Sequence, residues 1–256
     1  MKKLTTKHFR HYKKPQGGVP LKMLTAYDYP TARLLNDSAV DMILVGDSLG
    51  NVVLGYDTTV QVTIDEMLIF SKAVRRGAPD KFLIVDMPFG TYATRNMGIK
   101  NALRVFQETQ CEAVKIEGGH RDNCRLIEIL TKSGVAVVGH IGLTPQSIHE
   151  QGGYYIHGQD DDSVKRLMIE AKDLENAGAF SIVVECVNKE VSRDITKSLS
   201  IPTIGIGSGI ETDGQVLVIN DLLGLGDYLP PKFVKPIANL FQVKKDLIGK
   251  YLETLQ

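Results

Sequence analysis

The sequence predicts an α/β protein built as a single (β/α)₈, or TIM, barrel. The chain has 256 residues, close to the roughly 250 typical of this fold. Short apolar runs rich in Val and Ile recur along it, as in parallel strands buried on both faces. Helical patterns separate these runs, as the crossovers of a parallel sheet require. We therefore expect one domain over 1–256, with an N-terminal extension at 1–20 and C-terminal helices at 234–256.

Each element of the barrel can be assigned from its pattern. The apolar runs predict strands at Leu21–Ala26, Met42–Gly46, Phe82–Asp86, Ala113–Glu117, Ala136–His140, Ser181–Glu185, Thr203–Gly207 and Val216–Ile219, the last being the weakest. The intervening patterns predict helices at Pro30–Asp37, Ile64–Arg76, Lys100–Thr109, Asp122–Lys132, Asp162–Ala177 and Lys189–Ser198.

Glycines and long connections mark the boundaries between elements. Gly77, Gly134 and Gly178 follow helical patterns, where a left-handed residue commonly ends a helix. The connections 48–63 and 142–161 lack helical periodicity. Long loops at this end of a barrel form lids and substrate contacts, although a plain surface loop is the alternative.

Composition and charge narrow the class of protein. Hydrophobic residues make up 43% and charged residues 23%, and the formal net charge is zero, which provides no electrostatic basis for binding nucleic acid or an anionic membrane. No apolar segment follows the basic N-terminus, so we expect no secretory signal. Cys111, Cys124 and Cys186 lack metal-binding spacing and are typical of free thiols in a reducing cytoplasm rather than of a zinc site.

Four acidic residues end predicted strands. They are Asp47, Asp86, Glu117 and Glu185. In a parallel barrel the carboxyl ends of all strands meet on one face, so these side chains should converge on one pocket. Asp47, Asp86 and Glu117 supply the oxygen ligands that Mg²⁺ prefers, together with water and a chelating substrate. The alternative for each is a helix cap or turn.

Three further side chains have candidate roles. Lys115 lies two residues before Glu117, so both side chains leave the same face of the strand, which in a barrel is the interior. There Lys115 can anchor a substrate carboxylate or an enolate oxygen, or it can form a structural ion pair. Acidic neighbours argue against a Schiff base. Glu185, away from the other acids, is a candidate general base or a paired edge residue. His140 is more typical of hydrogen-bonded scaffold, with an accessory role as the alternative.

The glycine-rich segment GIGSG at 205–209 requires comparison with nucleotide-binding motifs. It lacks the third glycine of a dinucleotide site and the Lys of a P-loop. It can hold an anion through backbone N–H groups, or form a tight turn of the barrel.

The chain resembles the ketopantoate hydroxymethyltransferase family from about Leu21 to Lys250. The matching motifs are LTAYDYPTA at 24–32, VGDSLGNVVLGYDTT at 45–59, AVRRGAP at 73–79, DMPFGTY at 86–92, AVKIEGG at 113–119, GHIGLTPQ at 139–146 and IGIGSGIETDGQVLVINDLLG at 204–224. The resemblance implies a barrel related to phosphoenolpyruvate/pyruvate-type enzymes and a ring-based homo-oligomer, with a decamer as the expected size.

The resemblance also implies roles for individual residues. The Mg²⁺ ligands or near ligands of the family are matched by Asp47, Asp86 and Glu117. Its substrate contacts are matched by Asp47, Ser48, Asp86 and Lys115, and its proton acceptor is matched by Glu185. The implied reaction transfers a hydroxymethyl group from 5,10-methylenetetrahydrofolate to 3-methyl-2-oxobutanoate, through an enolate, in pantothenate biosynthesis. The alternatives are a Mg²⁺-dependent 2-oxo acid lyase or mutase on the same barrel, and a non-catalytic barrel that binds a small molecule or serves as a scaffold.

Overall fold

The computed structural model describes residues 3–15 and 18–255 of the chain. Its parallel strands follow one another around a closed barrel in chain order, which confirms the predicted fold. The strands are β1 Leu21–Thr25, β2 Met42–Val45, β3 Phe82–Asp86, β4 Ala113–Glu117, β5 Ala136–Gly142, β6 Ser181–Glu185, β7 Thr203–Ile206 and β8 Gly214–Leu217.

Helices follow most of the strands, but residues 207–213 between β7 and β8 form no helix. The helices are α1 Thr6–Arg10, α2 Tyr29–Asn36, α3 Ile64–Gly77, α4 Arg95–Thr109, α5 Arg121–Lys132, α6 Ile148–Gln151, α7 Asp161–Asn176, α8 Lys189–Ser198, α9 Ile219–Leu223 and α10 Leu240–Glu253. Local side chains fix several of their first turns. Thr63 and Glu66 form a reciprocal capping box at α3, and the side chain of Asp160 accepts two backbone N–H bonds at α7. Such caps satisfy donors that have no partner inside the helix.

Strands β2, β3 and β4 are buried on both faces, which explains their apolar composition. Every residue of β2, β3 and β4 is buried. One face of each strand packs on the helices and the other fills the barrel interior, so a continuous apolar run is the expected pattern. The polar exceptions, Asp86, Lys115 and Glu117, lie at the carboxyl ends of β3 and β4.

The N-terminal segment covers the opposite end of the barrel. Phe9 is 2% exposed and packs edge-on against Phe82, with 4.9 Å between ring centroids. Lys13 lies 2.6 Å from Asp213 and also donates to two backbone carbonyls. This part of the predicted extension at 1–20 therefore closes the base of the barrel, while residues 1, 2, 16 and 17 lie outside the described residues.

Two boundary predictions are wrong, for steric reasons. The last strand begins at Gly214 rather than Val216, and Ile219 already belongs to α9. A Cβ at Gly214 would lie 2.6 Å from the Ile204 side chain and 2.8 Å from the Leu21 carbonyl, so the strand starts with a residue that carries no hydrophobic signal. Gly77 lies inside α3 instead of ending it. Its Cβ would lie 2.6 Å from the Tyr29 carbonyl, so it permits close approach of α2 and α3.

Other boundaries differ by a few residues. Gly134 and Gly178 have φ of 92° and 99° and follow α5 and α7 as predicted. Helix α4 starts at Arg95, before the predicted Lys100. The connection 48–63 contains a π-helical turn, Gly50–Leu54, and a 3₁₀ turn, Thr59–Gln61. The connection 142–161 contains the 3₁₀ turn Pro145–Ser147 and α6.

The chain divides into two compact units, 1–216 and 217–256. The first holds nearly all of the barrel. The second contains α9 and α10, and no residue of α10 is buried. The single-domain assignment over 1–256 stays a prediction, as does a role in subunit contact for the helices at 234–256. Among the described residues, no helix combines the length and apolar character needed to cross a bilayer.

Candidate active site

The register of the barrel brings the predicted polar residues of three strands side by side. Asp86 of β3 is paired with Lys115 of β4, and Glu117 of β4 is paired with His140 of β5. Lys115 and Glu117 are two residues apart, so their side chains leave the same face of β4. The four groups therefore form one buried cluster at the carboxyl end of the barrel, where this fold places its active sites.

Lys115 is the cationic centre of this cluster. Its Nζ lies 2.8 Å from Asp86 Oδ1 and 3.6 Å from Glu117 Oε1, and the residue is 4% exposed. Burial opposes the charge, but Asp86, Glu117 and Asp47 outweigh it and raise the pKa of Lys115. The lysine is therefore an ammonium group suited to holding an anionic oxygen. A raised pKa is the reverse of what a Schiff-base nucleophile needs.

His140 connects the cluster to Glu185. Its Nδ1 lies 3.3 Å from Glu117 Oε1, and its Nε2 lies 3.2 Å from Glu185 Oε2, although Nε2 makes no well-oriented hydrogen bond. Burial and Lys115 oppose a charge on the ring, but Glu117 and Glu185 outweigh them and raise the pKa of His140 to about 9. His140 thus contacts the proposed base directly, which favours the accessory role over plain scaffold.

Glu185 lies at the end of β6, next to the cluster rather than apart from it. Its backbone is paired with Gly142 of β5, and its side chain is 16% exposed. The sequence suggested an isolated carboxylate, whereas His140 reaches it from the neighbouring strand. The carboxylate nevertheless keeps access to the open face of the barrel, which a general base requires.

Asp47 enters the site from the loop after β2. Its carboxylate accepts a hydrogen bond from Gln146 Nε2 at 2.7 Å, and its backbone N–H donates to Asp86 Oδ2 at 3.1 Å. Burial, then the charges of Glu117 and Asp86, raise the pKa of Asp47 well above its usual value. Asp47 is thus a buried acid in a strongly negative environment.

Gln146 is a site residue that the sequence reasoning missed. Besides Asp47, its side chain donates to the Met87 carbonyl at 2.9 Å, and its backbone N–H donates to Glu117 Oε2 at 3.2 Å. The hydroxyl of Tyr92 donates to Gln146 Oε1. One amide therefore ties the loops after β2, β3 and β5 together. Gln146 and Tyr92 each end a motif quoted above, but neither carries a charge that would single it out.

Ser48 lies beside the acids, held by a second tyrosine that the sequence reasoning missed. Its Oγ is 2.8 Å from the hydroxyl of Tyr27, which is 2% exposed. The backbone is tight at this point, because a Cβ at Gly46 would lie 2.9 Å from Ser48 Oγ and 3.4 Å from Asp86 Oδ2. The predicted substrate contacts Asp47, Ser48, Asp86 and Lys115 thus belong to neighbouring strand ends.

The acids do not form a metal cage by themselves. Within 3–15 and 18–255, no group of three or more His, Cys, Asp or Glu side chains is arranged to hold a metal ion. The ammonium of Lys115 lies against both Asp86 and Glu117 and neutralises part of their charge. Burial opposes ionisation of Glu117, but His140 and Lys115 outweigh it and lower its pKa. The assignment of Asp47, Asp86 and Glu117 as Mg²⁺ ligands stays a prediction.

The glycine-rich turn after β7 is tied down by its own serine. Ser208 Oγ donates to the Val184 carbonyl at 2.8 Å and accepts the Val187 N–H at 2.9 Å. Gly207 and Gly209 have positive φ, which glycine adopts at little cost. These bonds favour the tight-turn interpretation of GIGSG.

Comparison with known proteins identifies the family. The family model for ketopantoate hydroxymethyltransferase matches residues 3–256. The chain belongs to this family. The 3-methyl-2-oxobutanoate hydroxymethyltransferase of Geobacillus sp. (strain WCH70) is 50% identical over 242 residues, covering 94% of this chain and 86% of that protein. The ketopantoate hydroxymethyltransferase assignment made from the motifs is therefore confirmed, and with it an enzyme of the hydroxymethyltransferase type.

Solved structures of distant sequence share the fold. A phosphonopyruvate hydrolase in complex with oxalate and Mg²⁺ has a TM-score of 0.62 at 10% identity, covering 98% of this chain and 99% of that one. A phosphoenolpyruvate phosphomutase from Streptomyces platensis subsp. rosaceus has a TM-score of 0.61 at 13% identity, covering 93% and 83%. This ketopantoate hydroxymethyltransferase family member therefore shares its barrel fold with both structures.

Proposed function

We propose that the protein transfers a hydroxymethyl group from 5,10-methylenetetrahydrofolate to 3-methyl-2-oxobutanoate, giving 2-dehydropantoate and tetrahydrofolate. The family match and the named relatives support this reaction. The observation that carries the residue roles is the contact chain Asp86–Lys115–Glu117–His140–Glu185. It joins a fixed ammonium group, which can hold an anionic oxygen, to a partly exposed carboxylate, which can take a proton.

The charge of the site supports a bound divalent cation. Four carboxylates, Asp47, Asp86, Glu117 and Glu185, face the cationic groups Lys115 and His140. Asp47 has a neutral amide as its hydrogen-bond donor. Asp86 Oδ1 lies 2.8 Å from the Lys115 ammonium but accepts no well-oriented hydrogen bond. These two carboxylates fit the one or two that Mg²⁺ takes from a protein when water and substrate supply the remaining ligands.

Asp47 and Asp86 would therefore hold the ion, with Glu117 beside them in contact with Lys115 and His140. When bound, Mg²⁺ polarises the keto group of the oxo acid and makes its C3 proton more acidic. The protein's own groups supply the remaining functions.

Lys115 binds the oxo acid and Glu185 moves its proton. The Lys115 ammonium offers a charged donor to the oxygen that becomes negative as the C3–H bond breaks. Glu185 takes the C3 proton, and the resulting carbanionic carbon attacks the one-carbon unit of the folate. Water then supplies the hydroxyl group, the bond between that carbon and the folate nitrogen breaks, and the nitrogen takes a proton as tetrahydrofolate leaves. His140 Nε2, 3.2 Å from Glu185 Oε2, orients that carboxylate and compensates its charge. Ser48 and Asp47 lie beside the substrate.

The loop 142–161 supports exclusion of water. Tyr154 in this loop is largely exposed, and partial burial, Glu185 and Asp47 raise the pKa of its phenol. Closure of this loop over the oxo acid would protect the reactive carbon until the folate binds. Hydrogen exchange that is the same in this loop with and without ligand would contradict the closing role.

We further propose a homo-oligomer, with a decamer as the expected assembly, located in the cytoplasm. The family resemblance supports the assembly. The thiols of Cys111, Cys124 and Cys186 are free, which suits a reducing compartment. Analytical ultracentrifugation of the purified protein measures the subunit number.

A coupled assay tests the function. Wild-type enzyme with 3-methyl-2-oxobutanoate, methylenetetrahydrofolate and Mg²⁺ should form 2-dehydropantoate, and a chelator should abolish the activity. Without folate, the enzyme should still exchange the C3 proton of the oxo acid with deuterium from solvent. Exchange without folate-dependent product would favour a lyase or mutase. Tight binding of the oxo acid with neither exchange nor product would favour a non-catalytic barrel.

A further inference from the structure

A cavity opens beside the cluster of acids, between the loop after β3 and the start of α5. Its volume is about 460 Å³, within the roughly 300–1,000 Å³ range of small-molecule sites. Phe89 and Tyr92, from the loop after β3, line it, as do His120 and Asn123, from the start of α5. It is a second compartment at the carboxyl end of the barrel.

The cavity shares residues with the site described above. Glu117 and Gln146 line it. Glu117 contacts Lys115 and His140, and Gln146 donates to Asp47. A reaction between two substrates must bring two carbon atoms into contact, so the second substrate has to bind next to the first. This cavity is in the position that such a substrate requires.

The walls of the cavity suit a flat heterocycle. Phe89 is 48% exposed, and Tyr92 is partly buried, with its hydroxyl held by Gln146. Aromatic side chains bind planar rings through stacking and edge contacts. An exposed phenylalanine by itself is ordinary, but here it lines the same cavity as a fixed tyrosine.

The rim of the cavity is polar. Arg95, the first residue of α4, is exposed and lines the cavity. An exposed guanidinium pairs well with carboxylates. His120 and Asp122 are also exposed and line the cavity, so they can meet the N–H and amino groups of a ring edge. The cavity thus combines an aromatic wall, a polar rim and a cation at its mouth.

We propose that this cavity is the pterin pocket of the enzyme: it binds the ring of the reduced folate, with the glutamate tail leaving past Arg95. This rests on the proposed function, which requires a folate donor. Phe89 and Tyr92 contact the ring face, Glu117 and Gln146 place the one-carbon unit beside the oxo acid, and Arg95 pairs with a tail carboxylate.

Three variants test the pocket. Phe89→Ala removes the aromatic wall, Arg95→Ala removes the cation at the mouth, and Met97→Ala is the matched control. Met97 is a large apolar residue of α4, 44% exposed, that does not line the cavity. Calorimetry with oxo acid and Mg²⁺ present measures the binding of tetrahydrofolate and of 6-methyltetrahydropterin, which lacks the tail.

Each variant has a distinct expected result. Phe89→Ala should weaken both ligands about tenfold and raise the KM for methylenetetrahydrofolate by a similar factor. Arg95→Ala should weaken tetrahydrofolate but not the tail-less pterin. Met97→Ala should bind both as the wild type does. The KM for the oxo acid should stay close to the wild-type value in all three.

The outcomes separate this pocket from the proposed function. If wild-type enzyme makes the product but Phe89→Ala binds both ligands with wild-type affinity, the pocket is wrong and the function stands. If Phe89→Ala weakens both ligands but Arg95→Ala weakens neither, the placement of the tail is overturned. If wild-type enzyme neither binds tetrahydrofolate nor forms product, the proposed function itself fails.

Discussion

Replacing Lys115 by methionine is the most direct test of the charge arrangement in the site. The substitution keeps an unbranched side chain but removes the ammonium that lies 2.8 Å from Asp86 and 3.6 Å from Glu117. At an effective dielectric constant of about 20, these separations correspond to attractions of about 6 and 5 kcal/mol. Desolvation of the charges offsets much of that, and the loss of one partner from a buried pair costs about 3–5 kcal/mol.

Urea unfolding at pH 7 in metal-free buffer measures the cost. Lys115→Met should lower the free energy of unfolding by about 3–5 kcal/mol. Lys81→Met is the matched control. Lys81 is also buried, but its Nζ donates to the carbonyls of Ser38 and Val40 at 2.7 and 2.9 Å. Lys81→Met leaves no unpaired acid and should lower the free energy of unfolding by about 1–3 kcal/mol.

The pH dependence separates charge from packing in the same experiment. Burial raises the pKa of Asp86 and Lys115 opposes that rise, so the pKa of Asp86 should increase further in the Lys115→Met protein. When the pKa of a group is higher in the folded than in the unfolded state, the folded state binds more protons, and the free energy of unfolding rises as pH falls. The deficit of Lys115→Met should therefore shrink between pH 7 and 5, and that of Lys81→Met should not. A Lys115→Met protein that matches the wild type at pH 7, or a deficit that does not change with pH, would refute the reasoning.

Three other substitutions test single carboxylates. Glu185→Gln should leave oxo-acid binding intact but lower turnover by a factor of about 10²–10⁴. Steady-state kinetics measures this, with a substitution at the exposed Glu190, Glu190→Gln, as the control. Near-normal turnover of Glu185→Gln would contradict the assignment of Glu185 as the base. Asp47→Asn should raise the free energy of unfolding of the metal-free protein at pH 7, because burial, Glu117 and Asp86 raise the Asp47 pKa and its charge opposes folding above that pKa. This gain should vanish in acid, and a loss of stability at pH 7 would contradict it. For Glu175, burial opposes ionisation, but Lys172 and Ser200 outweigh it and lower its pKa to about 2. Glu175→Gln should therefore lower the free energy of unfolding by about 2–3 kcal/mol at pH 7, and this loss should fade as pH falls below 4.5. A deficit that persists at pH 2 in urea titrations would argue against the ion pair.

The barrel strands were predictable where burial on both faces leaves a continuous apolar run. The predicted bounds of β3, β4 and β6 match the structure. The start of β8 was predicted wrongly because its first residue is Gly214, where Ile204 and Leu21 leave no room for a side chain. Gly77 was misassigned for the same reason. Steric exclusion by distant residues leaves no periodic signal in the sequence, and only the folded chain reveals it.

The charged part of the site was also accessible from the sequence. An acid after an apolar strand is a strong signal, and the two-residue spacing of Lys115 and Glu117 gave their shared face. The contacts between elements were not accessible, since they depend on the register of β5 against β4 and β6. That register is what brings His140 to both Glu117 and Glu185. Gln146 escaped notice because a neutral amide in a loop looks like any other polar loop residue.

The amide of Gln146 separates two kinds of communication within the protein. It accepts from Tyr92 on one side and donates to Asp47 on the other, but a carboxamide neither gains nor loses a proton at ordinary pH. The link between the aromatic cavity and Asp47 can therefore transmit a displacement and not a charge. The titratable groups lie on the other side, where His140 contacts Glu185, so geometry and acidity follow different routes through the same few side chains.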